Sequence, residues 1–136
     1  MADLQILANY KVTLIGEDFF IHDTGEGSRN RIIMFASEIQ LITLASAKTW
    51  FMDGTFSIAP AIFSLLYVIL ILLKPSAVTA IYAFFPNKAQ RTYKEMFQVI
   101  TDACIRQLLM LIQKKVVCDF EKAVINALKI FWVMTF

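Results

Sequence analysis

The sequence predicts an α/β protein with a mixed sheet, and three observations lead there. Two apolar runs of strand length, LLYVILILL (65–73) and AVTAIYAFF (77–85), stand on either side of Lys-Pro-Ser. A stripe at helical spacing follows: Tyr93, Met96, Phe97, Ile100, Cys104, Leu108 and Leu111. After it come a short β-branched run and a second helical stripe of Val124, Leu128 and Phe131. Near-continuous apolar runs read as strands buried on both faces, and a helical crossover between strands favours a parallel pair. The element order is therefore three strands, a helix, a strand and a helix.

Taken in order, the chain starts with MADLQILANYKV, which carries an acid early and has no basic segment leading into an apolar one, so it does not read as a signal peptide. Short apolar runs at 19–22 and 31–35 flank DTGEGSRN, whose Gly, Asp, Ser and Asn predict a small hairpin with an exposed tip. SEIQ (37–40) has capping-box spacing and predicts a short helix to about Ala47.

Next comes TWFMDGTFSIAP, which holds one acid, Asp53, inside an apolar run. Asp-Gly between hydrophobics is a type I′ turn signal, because Gly accepts the positive φ the turn demands. The other reading is one strand over 50–58, with Phe51, Asp53, Thr55 and Ser57 on one face and Met52, Gly54 and Phe56 on the other. Pro60 marks a bend before the two apolar strands, and Pro86, Asn87 and Lys88 end the second of them. Ala89 stands where a capping Ser or Thr is expected, at a cost of about 1 kcal/mol. The long helix has a polar face of Lys94, Glu95, Gln98, Asp102, Arg106 and Gln107, which reads as solvated surface. A strand over 116–118 then hands over to a helix at Asp119, whose simplest role is an N-cap.

At 136 residues the chain is long enough for one domain with a substantial core. A hydrophobic content of 58% and a mean hydropathy of +0.62 raise the question of a membrane, centred on the charge-free run 54–73. That run contains Thr55, Ser57, Pro60 and Ser64, and its densest part falls short of the ~20 residues of a spanning helix. A buried hairpin is the expectation, and a small membrane protein with an apolar hairpin at 54–85 is the alternative. A net charge of +2 lacks the Lys/Arg clustering of a nucleic-acid footprint. Cys104, Cys118 and His22 are too few for a disulfide framework or a Cys/His zinc site, which points to reduced, intracellular thiols.

If the 50–58 and 116–118 strands pair in parallel, Asp53 and Asp119 approach each other near the sheet. Two carboxylates ~4 Å apart repel by about 4 kcal/mol at an effective dielectric near 20, so the pair requires a shared proton or a cation. Oxygen ligands point to Mg²⁺ or Mn²⁺, the ions of two-metal phosphoryl transfer.

Three blocks, TWFMDGTFSIAPAIFSLLYVI, YAFFPNKAQRTYKEMF and KVVCDFEKAVINAL, resemble in order the N-terminal part of the catalytic domain of Mutator-like element (MULE) transposases. The resemblance covers most of the chain from about Arg31 and implies a ribonuclease-H-like fold with a DDE/DDD acid triad. Residues 1–48 would be a hairpin and short helix preceding the core, and 49–136 the N-terminal part of the catalytic domain. The family's first acid falls on Asp53 and its second on Asp119, both catalytic and metal-binding. Gly54 on this reading leaves room for metal or phosphate, and Glu121 is either a second acceptor behind the metal or a first-turn acid favoured by the helix dipole.

The family further implies Mg²⁺ or Mn²⁺ without a small-molecule cofactor, DNA as partner, and a nuclear location. Its third acid lies on a later helix, so the expectation is a fold truncated before the last strand and acid-bearing helix, inactive in DNA cleavage and strand transfer. ILILLKPSA and LLMLIQKK are more apolar than the family's usual connections. A non-catalytic remnant is the alternative, self-associating through uncovered apolar surface.

Overall fold

The computed structural model describes residues 19–25, 27–55, 63–73, 75–118 and 121–131. Its elements are β1 (Phe20–Asp23), β2 (Ile33–Phe35), α1 (Glu38–Ser46), β3 (Thr49–Thr55), β4 (Leu65–Leu73), β5 (Ser76–Phe85), α2 (Gln90–Arg106), β6 (Lys115–Val117) and α3 (Lys122–Phe131). The strands form one mixed sheet in the order β1-β2-β5-β4-β3-β6. β3 and β6 are parallel, and every other neighbouring pair is antiparallel. The α/β class, the mixed sheet and the parallel pairing expected of a helical crossover are all present.

The apolar runs are interior strands of the sheet, but they are not buried on both faces throughout: Leu72, Leu73 and Val78 are 39–51% exposed. β4 has β5 on one side and β3 on the other, which satisfies its backbone, and Leu65, Tyr67, Ile69 and Ile71 are buried. Among the described residues no helix is long and apolar enough to cross a membrane. The bend expected at Pro60 and the end of the 50–58 strand lie outside the described residues.

The capping box forms as its spacing requires. Ser37 Oγ accepts from Gln40 N–H at 3.2 Å, and Gln40 Oε1 accepts from Ser37 N–H at 2.7 Å. Gln40 also donates to the Thr79 carbonyl at 2.8 Å, which ties α1 to β5. Trp50, fully buried, donates its indole N–H to the Leu44 carbonyl at 3.1 Å and fastens α1 over β3.

At the other edge, Gly25 and Gly27 supply the positive φ of the β1–β2 loop. The loop is less open than its composition suggests. Arg31 is 2% exposed and forms a two-armed ion pair with Asp23, at 2.8 and 2.7 Å. That pairing holds the Asp23 carboxyl below its usual range, against the opposing effect of burial.

α2 buries Tyr93, Met96, Phe97, Ile100 and Cys104 as the stripe predicts, but it stops at Arg106. Leu108 turns left-handed with φ 57°, and Leu109 N–H reaches back to the Cys104 carbonyl at 2.8 Å. This is a Schellman stop with leucine where glycine is usual. Leu108, expected on the apolar stripe, is therefore 94% exposed, and Leu111 lies beyond the helix. The polar face is solvated except at Glu95, whose carboxylate lies 2.9 Å from His22 Nε2 and accepts from the Thr24 hydroxyl, joining α2 to β1. At the start of α2, Ala89 makes no side-chain cap, but Asn87 Oδ1 accepts from Ala89 N–H and from Thr92 Oγ1.

Candidate functional site

β3 alternates as a strand must. Trp50 and Met52 point into the core beneath α1 and α2, whereas Phe51 is half-buried and Asp53 exposed on the opposite face. Asp-Gly is thus mid-strand rather than a hairpin turn. Gly54 pairs with Tyr67 of β4, and Asp53 with Val68.

The glycine serves the core. A Cβ on Gly54 would lie 2.8 Å from Leu65 Cδ1 and 3.0 Å from Tyr67 Cδ1. The Tyr67 ring fills that space, 5.4 Å from Phe85 and 5.3 Å from Tyr93 of α2. Room for a metal or phosphate beside Asp53 is therefore not what Gly54 supplies, because its missing side chain would point to the other face.

β3, β5 and β6 run the same way, so their carboxyl ends share one margin of the sheet, the usual place for ligands in α/β folds. Asp53 faces that margin. The β3–β6 ladder pairs Thr49 with Lys115, Trp50 with Val116 and Phe51 with Val117, and stops two residues short of Asp53. Asp53 Oδ1 accepts from Gly54 N–H at 2.9 Å. Asp119, the second expected acid, lies outside the described residues. The N-cap position of α3 falls on Glu121, whose carbonyl accepts from Ile125 N–H at 3.1 Å.

Glu121 is not a bare first-turn acid. Its carboxylate accepts from Tyr93 Oη at 2.9 Å and meets Lys88 Nζ at 3.0 Å. Burial pushes the carboxyl up, but the hydrogen bonds from Lys88 and Tyr93 and the lysine charge outweigh it and hold the group below its usual range. Two of the three sequence blocks thus meet physically, PNKAQRTY through Lys88 and Tyr93 and DFEKAVINAL through Glu121. Sequence reasoning placed Tyr93 in the core and Lys88 in a strand break, and no local signal couples either to an acid 28 residues or more away.

Among the described residues no three His, Cys, Asp or Glu side chains gather as a metal group. Asp53 is the one expected site acid among them. No protein-family model, curated protein or solved structure matches the chain.

Proposed function

We propose that this chain carries part of the ribonuclease-H-like catalytic core of a Mutator-like DNA transposase, with Asp53 and Asp119 as its first two metal-binding acids. The observation that carries the reading is the parallel β3–β6 pair with Asp53 exposed at its carboxyl end. Asp53 stands two residues after Phe51, and Asp119 two residues after its ladder partner Val117, in the sequence. The meeting of the PNKAQRTY and DFEKAVINAL blocks at Glu121 supports the same reading, since separate motifs converge on one margin.

Mg²⁺ or Mn²⁺ would supply charge neutralisation for phosphodiester attack, and DNA would be the partner, in the nucleus.

Isothermal titration with Mn²⁺ tests the assignment. Binding by the parent chain that is lost in both Asp53→Asn and Asp119→Asn, with circular dichroism unchanged, is the expected result. Equal binding in either variant removes that residue from the site.

A further inference from the structure

α2 ends in a turn that leads to the start of β6, at the end of the sheet away from the margin that Asp53 faces. Leu108 and Met110 stand there 94% and 81% exposed, and Ile105 and Ile112, one before and one after them, are exposed as well. Ile105 and Met110 wall the same hollow of about 300 Å³, which places the helix end and the turn side by side. Leu109 and Leu111 face the other way and pack against the core, so the outward positions run from Leu108 through Met110 and Ile112 to Lys114. Backbone bonds hold this limb in place: Ile112 N–H donates to the Ala45 carbonyl at 3.3 Å and Lys114 N–H to the Lys48 carbonyl at 2.7 Å. Leu108 has the left-handed backbone that glycine adopts freely and leucine does not, and its exposed side chain gains no packing in return. From 103 to 118 the chain carries no acid and three exposed cations, Arg106, Lys114 and Lys115. The stretch 39–52, which supplies the two carbonyls, has no acid either. Asp102 lies one turn back on α2, bonded to Gln98.

We propose that the turn from Ile105 to Ile112 is a tip that inserts among the headgroups of an anionic lipid bilayer, with Lys114 and Lys115 meeting the lipid phosphates and carboxylates. Aliphatic side chains entering the headgroup boundary beside lysines are the two attractions that hold a protein on such a surface. Charge and chemistry decide between occupants. Protein interfaces are anchored mainly by Trp, Tyr and Arg seated in pockets, whereas this turn presents Ile, Leu and Met and has no aromatic ring from 103 to 118. A second copy would set like charges against each other. The tip is remote from Asp53, so the proposal does not rest on the acid site.

Co-sedimentation of the full chain with vesicles tests it, using phosphatidylcholine alone and an equal mixture of phosphatidylcholine and phosphatidylserine. Binding to the mixed vesicles is expected, with binding to phosphatidylcholine alone about tenfold weaker. On the mixed vesicles Leu108→Gly and Met110→Ser should each bind about tenfold more weakly and Lys114→Gln about fivefold more weakly, while Lys94→Gln, exposed near the start of α2, should be unchanged. Leu108→Gly keeps the measurement clear of unfolding, because glycine suits the left-handed position and should leave the fold at least as stable. Absence of binding, equal binding to both vesicles, or parent-like binding by Leu108→Gly or Lys114→Gln overturns the proposal. A dimer in sedimentation that Met110→Ser dissolves assigns the tip to a second copy and overturns it equally.

Discussion

Replacing Gly54 with alanine separates two roles for the glycine beside Asp53. Carbon atoms in good contact sit about 3.5–4.0 Å apart, so a Cβ placed 2.8 Å from Leu65 Cδ1 and 3.0 Å from Tyr67 Cδ1 is overlapped on two sides. Leu65 is fully buried, and the Tyr67 ring is packed against Phe85 and Tyr93. Neither can withdraw without disturbing the core beneath α2. Overpacking of this kind costs about 1–3 kcal/mol. Removing a strand glycine returns roughly 0.5–1 kcal/mol of chain entropy, which leaves a net loss centred on about 1 kcal/mol and reaching about 2.5 kcal/mol.

Urea unfolding followed by far-ultraviolet circular dichroism should show the midpoint fall with the slope m unchanged. Combining Gly54→Ala with Leu65→Val, which deletes the closest atom, should cost about 1 kcal/mol less than the sum of the single variants. An unchanged or higher midpoint for Gly54→Ala, or strict additivity in the pair, would refute the packing argument. A loss of Mn²⁺ binding without any loss of stability would return Gly54 to the acid site.

Two further substitutions probe the ends of the chain's elements. Leu108→Gly should raise stability by about 0.5–1 kcal/mol, because a left-handed leucine costs about 1–2 kcal/mol and glycine gives back part of that in unfolded-state entropy; a lower unfolding midpoint would mean that the side chain has packing its 94% exposure does not reveal. Asp23→Asn should cost about 2–3 kcal/mol near neutral pH, since it strips the buried Arg31 of its charged partner. The Asp23 carboxyl is held below its unfolded value of about 3.9, so its contribution is present above that pH and is lost as pH falls through the lowered folded value. The stability gap between parent and variant should therefore narrow below about pH 4, and a gap constant from neutral pH to pH 2 would contradict the assignment.

Much of the architecture was legible because it is local. The capping box needs only Ser37 and Gln40, three residues apart, and the Lys-Pro-Ser break between two apolar runs announces the β4–β5 hairpin. The α2 stripe marks its buried face correctly as far as Cys104. It misleads beyond, since hydrophobic spacing continues through Leu108 and Leu111 after the backbone has turned. Of the two expected acids, Asp53 was ambiguous locally, since Asp-Gly signals a turn as readily as alternation signals a strand, and pairing with β4 decided for the strand; Asp119 lies outside the described residues.

What the sequence determined by itself is most of the elements and their order, because period, capping and turn chemistry act between neighbours along the chain. Tertiary structure alone decided the rest. It gave Gly54 a packing role, because Leu65 and Tyr67 reach it from the next strand. It took Glu121 out of the open by bringing Lys88 and Tyr93 to it, and it tied Lys114 and Lys115 to the Lys48 carbonyl through backbone hydrogen bonds. Each of these depends on distances between residues remote in sequence, and those distances exist only once the sheet has its strand order and the helices lie against it.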